Sequence, residues 1–169
     1  MEIRRLVPAD ALMHRAVRLR GLKEHPDAFT SSYEEEAAKP LPATEARLAP
    51  EADGRMWGAF VDGNLVGTIG LLREPRAKNR HKCDVFGMYV APEHAGRGVG
   101  MALLTYVIGE ARREPSLEQL VLTVTDTNVS ARTLYEKAGF RSFGVEPRAI
   151  RVGDTYLDKN HMILFLAQP

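Results

Sequence analysis

Three glycines at alternate positions, Gly96, Gly98 and Gly100, separate an apolar run ending at Val90 from a striped segment that reaches Arg113. Lacking a Cβ, glycine lets a chain turn tightly and lets main-chain N–H groups come close to a ligand. The segment that follows carries Gly100, Leu103, Leu104, Val107, Ile108 and Ala111 at helical spacing, with no acid in its first turn. Its unpaired N–H groups and the positive end of its dipole therefore face the glycines, an arrangement that suits phosphate oxygens. Arg97 adds a cation beside them. The spacing is not the G-x-G-x-x-G of a dinucleotide turn, and the Gly-Lys-Ser/Thr of a P-loop is absent. A tight strand-to-helix connection that holds no ligand would use the same residues, so the turn alone leaves both readings open.

The elements that must hold this turn are legible around it. Val85 to Val90 is apolar and β-branched enough for a buried strand, and Pro92 ends it because proline cannot donate to a ladder. Gly87 inside that strand signals a bulge or a close backbone approach. Leu120 to Thr125 is the next strand, followed by Asn128 as helix cap, a helix from Val129 to Ala138 and Gly139 as a left-handed stop.

Together the two stretches resemble the GNAT (general amine N-acetyltransferase) superfamily. The pyrophosphate turn of that family, V-x-P-x-x-(Q/R)-x-x-G-x-(G/A), is met at Val90, Pro92, Gly98 and Gly100, with Ala95 where Gln or Arg is usual. A second pattern, N-x-x-A-x-x-L-Y-x-x-x-G-F, is met at Asn128, Ala131, Leu134, Tyr135, Gly139 and Phe140. The resemblance implies an α/β (α+β) fold: a mixed, mostly antiparallel sheet of six or seven strands, flanked by helices and splayed between its two central strands. It implies transfer of acetyl from acetyl-CoA to a primary amine by direct attack in a ternary complex, with no metal. The phosphates would lie on Ala95, Gly96, Arg97, Gly98, Val99, Gly100 and Met101. The pantetheine arm would lie along Met88, Tyr89 and Val90, adding like a strand, and against Asn128 and Ala131.

By the same resemblance Tyr135 is the general acid that protonates the departing thiolate, and a backbone N–H near Met88 or Tyr89 meets the oxyanion. Tyr135 would otherwise be an aromatic packed on the sheet, and Asn128 only a cap. Many relatives carry a glutamate base at the position of Phe86 or Gly87, and this chain has no carboxylate there. Asp84, on the face of Phe86 by strand parity, is one candidate base; Glu34 and His161 are the others. Phe29, Tyr33 and Glu34, where the first two helices of this architecture meet, suit a pocket for a cationic amine, and His161 is placed with them. The acceptor is expected to be a small amine or amino acid. A peptide N-terminus or lysine remains open, as does a non-catalytic module that binds or senses acyl-CoA, and a homodimer is allowed.

The rest of the chain bounds these readings. A chain of 169 residues is expected to form a single domain, 1–169. A hydrophobic share of 44% and a charged share of 27% are ordinary for a globular protein, and a net charge of +1 argues against a nucleic-acid partner. MEIRRLVP has no apolar core behind its arginines and Met162 to Ala167 is too short to span a bilayer, so neither a signal sequence nor a membrane span is expected, and one cysteine, Cys83, excludes an internal disulfide. A cytoplasmic location without membrane attachment is the expectation. Ile3 to Val7 reads as a first strand, and Ala11 to Lys23 as a helix burying Leu12, Ala16 and Leu19. Ser31 or Ser32 caps a second helix, Pro40 and Pro42 break it, and Thr44 to Leu48 reads as a turn. Met56 to Val61 and Leu65 to Leu72 form a hairpin across Asp62-Gly63-Asn64. The basic loop holding Arg73, Arg76, Lys78, Arg80 and Lys82 reads as a solvated tip. Phe140 to Val145 and Tyr156 to Leu166 close the sheet.

Overall fold

The computed structural model describes residues 1–166. Seven strands form one sheet: β1 (Glu2–Arg5), β2 (Gly54–Val61), β3 (Asn64–Arg73), β4 (Lys82–Val90), β5 (Gln119–Thr125), β6 (Arg141–Val152) and β7 (Thr155–Phe165). Their spatial order is β1-β2-β3-β4-β5-β7-β6, and only β4 and β5 run parallel. This is the mixed, mostly antiparallel sheet expected. The β2–β3 turn has Asp62 and Gly63 both at positive φ, 50° and 78°, as a two-residue hairpin requires.

Helices cover both faces. α4 (Val99–Arg112) buries Leu103, Leu104, Val107, Ile108 and Ala111 in a core shared with Trp57, Ile69, Leu120 and Met162, and α5 (Val129–Lys137) adds Tyr135 to it. On the other face α1 (Ala11–Glu24) and α3 (Leu41–Leu48) close a smaller core of Leu6, Ala11, Leu48, Met56, Phe60 and Leu65. The short α2 (Tyr33–Ala37) is capped by Ser32, whose Oγ accepts from the Glu35 amide at 3.1 Å while the Glu35 carboxylate accepts from the Ser32 amide at 3.0 Å. Among the described residues no helix is long and apolar enough to cross a membrane.

Three elements differ from the sequence expectations, each for a physical reason. α1 turns Ala11, His14, Gly21 and Leu22 inward, while Leu12 is 69% exposed and Ala16 is also exposed. Apolar residues stand on every side of this helix, so spacing gives no decisive stripe, and close packing of Gly21 on the Tyr89 ring sets its rotation. Pro42 sits in the first turn of α3 and helps start it, so Thr44 to Leu48 is helix and not a turn. β6 continues through Pro147 to Val152, because an edge strand tolerates a residue without an N–H, and a register shift between Glu146 and Ile150 absorbs it.

Candidate active site

β4 and β5 pair only at Lys82, Cys83 and Asp84, opposite Gln119, Leu120 and Val121. Beyond Asp84 they part, and the edge of β4 from Val85 to Val90 has no partner on that side. A bulge drives the divergence: Gly70 faces Phe86 and Thr68 faces Tyr89, so Ile69 opposes two residues, Gly87 and Met88. Gly87 takes φ +62°, a region that side chains strain to adopt, and the Thr68 hydroxyl donates to its carbonyl at 2.9 Å. A fork in the sheet therefore exposes main-chain groups along one side of β4.

The fork leads to the glycine turn. Gly98 is the N-cap of α4 with φ +81°, and space around it is open, so left-handed backbone rather than crowding calls for glycine there. Gly100 is different: a Cβ would come within 3.1 Å of the Met88 Cε and 3.2 Å of the Leu134 Cδ2. The first bond of α4 runs from the Ala102 amide to the Gly98 carbonyl at 3.0 Å, so the amides of Val99, Gly100 and Met101 precede it. Across the fork, Asn128 Oδ1 accepts from the Ala131 amide at 3.1 Å and starts α5. The Tyr135 ring meets Phe140 edge-on at 6.0 Å, and burial pushes its phenol up to about 12. Its hydroxyl makes no hydrogen bond among the described residues.

These parts enclose a cleft of about 680 Å3, lined among others by Val85 to Val90, Gly98, Met101, Asn128, Ala131 and Tyr135. Residues of the segment between α1 and α2, His25, Ala28 and Phe29, roof it. That segment is anchored from both sides. The Thr125 hydroxyl donates to the Asp27 carbonyl at 2.5 Å, and the Tyr89 hydroxyl donates to Glu24 at 2.7 Å. Arg20 grips Glu93 through two bonds of 2.7 and 2.9 Å, which hold the Glu93 carboxyl down to about 2 and tie α1 to the turn before the glycines. A second cleft of about 540 Å3 lies between residues 29–34 and the β6–β7 turn; Lys23, Tyr33, Glu34 and Arg151 line it, and Phe29 borders both clefts. The Arg18 guanidinium stacks on Phe29 at 4.7 Å.

Of the residues singled out in the sequence, Met88, Tyr89, Val90, Ala95, Gly96, Gly98, Val99, Gly100, Met101, Asn128, Ala131 and Tyr135 converge on the first cleft. Tyr33 and Glu34 line the second. Arg97 is exposed and outside both linings. Asp84 also lies outside them, at the closed end of the fork, where burial and then Glu74 raise its carboxyl above the usual range. His161 is on β7 and lines neither cleft, although its register partner Thr123 lines the first. Cys83 is fully buried and burial lifts its thiol to about 12, so it behaves as a small hydrophobe. Sequence reading missed His25, Thr123 and Lys137 in the cleft wall. Lys137 was reachable by helical spacing from Ala131 and Leu134; the other two depend on how distant segments meet. Among the described residues no cluster of metal-ligating side chains occurs.

The sequence profile of the acetyltransferase (GNAT) family matches residues 20–140. The chain is similar to L-amino acid N-acetyltransferase AaaT of Escherichia coli (strain K12), 30% identical over 119 residues that cover 70% of this chain and 72% of that protein. It is 35% identical over 95 residues to the probable N-acetyltransferase family 8 member 5 of Mus musculus; the match covers 55% of this chain and spans only 41% of the mouse protein. The structure of YncA from Salmonella typhimurium, solved with its cofactor acetyl-CoA, superposes with a TM-score of 0.81 at 23% identity, covering 100% of this chain and 95% of that one.

Proposed function

Because the chain belongs to the acetyltransferase (GNAT) family, we propose that it is an N-acetyltransferase that moves the acetyl group of acetyl-CoA onto the primary amine of a small amine or amino acid. The observation that carries this reading is the fork between β4 and β5, whose unpaired edge runs from the bulge at Gly87 to the N-terminus of α4. An extended arm bearing amides pairs with that edge, and its phosphates meet the amides of Val99, Gly100 and Met101. The thioester then lies beside the bulge, where the N–H of Met88 or Tyr89 receives the oxyanion.

The acceptor enters through the second cleft and passes Phe29. Its lining carries both signs, Glu34 for an ammonium and Lys23 with Arg151 for a carboxylate, which suits a free amino acid. The neutral amine attacks the thioester carbon, the C–N bond forms and the C–S bond breaks. Tyr135 hands its proton to the departing sulfur. A phenol at about 12 is a weaker acid than a thiol of about 8.5, so full transfer by Tyr135 alone runs uphill. The proton is therefore passed on rather than given up: the ammonium of the tetrahedral intermediate refills the phenol as the thiolate takes its proton.

A panel of free amino acids, polyamines and short peptides, assayed for CoA release with a thiol reagent, tests the reading. Release with one class of free amine and none with water is the expected result. Release only with peptides would move the acceptor to a polypeptide, and CoA binding without release on any amine would leave a binding module.

A further inference from the structure

The proposed reaction requires a group that takes a proton from the acceptor, and the cleft linings offer no carboxylate on β4. A titratable cluster lies one strand beyond the cleft wall. On β7, His161 stands opposite Thr123 of β5. Cross-strand partners share a face of the sheet, and Thr123 lines the first cleft. Thr125, two residues along, holds the Asp27 carbonyl of the segment that roofs that cleft. On β6, Glu146 Oε2 lies 2.9 Å from His161 Nε2, and the Phe143 ring meets the imidazole edge-on at 5.9 Å. The bond to a carboxylate assigns the hydrogen to Nε2 and leaves the Nδ1 lone pair free to accept. Both side chains keep contact with solvent, 32% for His161 and 55% for Glu146, so a captured proton has a way out.

We propose that Nδ1 of His161, which stands behind Thr123 and not in the cleft lining itself, takes the proton of the acceptor ammonium through one intervening water, and that Glu146 is the positioning residue that fixes the imidazole for this transfer. This rests on the acetyltransferase reading above. One proton leaves the substrate nitrogen for Nδ1 and passes to water; the second reaches the sulfur through Tyr135, so amide, thiol and one released proton balance the reaction. By register the charged and titratable groups nearest His161 are Glu146 and Arg141 on β6 and Lys159 on its own strand; His25 lines the cleft on the far side of Thr123, Asp27 is tied to Thr125 through its carbonyl, and Asp84 stands across β5 beside Val121. β5 presents only uncharged Val121, Thr123 and Thr125 to this face. Lys159, 5% exposed, is in register with both Thr125 and Glu146; burial lowers its ammonium below the usual range and the Glu146 carboxylate partly offsets this.

His161→Gln and Glu146→Gln test the assignment, together with His161→Ala supplied with imidazole. With chemistry rate-limiting, His161→Gln lowers kcat by about 10 to 1,000 fold, leaves CoA affinity by calorimetry unchanged, and loses least with an acceptor already neutral at the assay pH. Glu146→Gln displaces the ascending limb of the kcat/KM pH profile, and added imidazole restores part of the His161→Ala rate. A His161→Gln enzyme that is folded and runs at the parental rate across the profile overturns the proposal and leaves the acetyltransferase reading intact. A parent protein that transfers acetyl to no amine removes that reading and this proposal with it.

Discussion

The two sides of the site are built from different materials. The side proposed for the cofactor consists of main chain: an unpaired strand edge, a bulge at Gly87, a left-handed cap at Gly98 and the first amides of α4. The side proposed for the acceptor consists of side chains carried by α1, the 25–34 segment and the β6–β7 hairpin. Main-chain groups are the same in every sequence, so a cofactor common to many enzymes suits the first kind of wall. Side chains can be exchanged without disturbing the backbone, so the second kind of wall suits selection of the acceptor. The division extends to the cores. The α4–α5 face buries an almost wholly apolar cluster, whereas α1 to α3 bring Asp10, His14 and Thr44 inside.

The largest effect separates the sides by chemistry. Tyr135→Phe keeps the ring against Phe140, so fold and acetyl-CoA affinity persist while kcat falls by roughly 10 to 1,000 fold. Stopped-flow measurement of the chemical step, repeated with an acyl donor whose thiol is more acidic, should show a smaller loss. An unchanged chemical step would reduce Tyr135 to a packing residue.

A second test concerns the acceptor-side core alone. His14 is 3% exposed, its Nδ1 has no partner among the described residues, and burial, with Arg47 and Arg18 adding to it, drops the imidazole to about 4 from an ordinary 6.5. The unfolded chain therefore binds a proton before the folded one does. Stability is lost as pH falls from about 6.5 to about 4, by about 3 kcal/mol at most. Urea unfolding at several pH values should show that slope in the parent protein and lose it in His14→Leu. An equal slope in both would mean that carboxylates such as Glu36 account for the acid sensitivity.

The same contrast explains what was legible in the sequence. Val85 to Met101 and Asn128 to Phe140 are short stretches in which neighbours in sequence are neighbours in space, so glycine, proline and cap positions reveal the strand, turn and helices directly. The divergence of β4 from β5 followed from one glycine in a strand. The acceptor side has no such local signature. Thr125 reaches Asp27 across nearly a hundred residues, and the imidazole of His161 finds a glutamate on an exposed edge strand where nothing in the spacing marks it. The inward face of α1 was misread for the same reason: His14 is inside and Leu12 outside because tertiary packing, not periodicity, sets the rotation.

A smaller effect tests the cofactor wall. Gly98→Val forces a branched residue to φ +81°, so the turn relaxes and the amides of Val99 to Met101 lose their aim. CoA affinity should fall by about tenfold, about 1.4 kcal/mol, and the melting temperature should also drop, because a branched residue at positive φ costs roughly 1–3 kcal/mol even though no atom lies within 4 Å of the added Cβ. Calorimetric titration with CoA reads this directly. Unchanged affinity in a folded variant would detach the glycine turn from the phosphates.

The smallest effect is expected where charge is densest. Arg76, Lys78 and Arg80 sit on the exposed tip between β3 and β4; Arg80 reaches only the Pro75 carbonyl, at 3.3 Å. β4 runs from this tip to the glycine turn, and nine residues of strand place the two ends roughly 26 Å apart. That is about three times the screening length at physiological salt, roughly 8 Å, so the tip has little hold on an anion at the turn. Replacing all three by Gln should leave CoA affinity unchanged and move stability by less than about 0.5 kcal/mol. Arg73 differs, since it bonds Ser116 at 2.6 Å and Glu114 at 3.3 Å and so joins β3 to the segment after α4; Arg73→Gln should cost more than the other three combined. If instead the triple variant loses CoA affinity, and loses more at low salt, the tip takes part in drawing the cofactor in and the anion site is not confined to main chain.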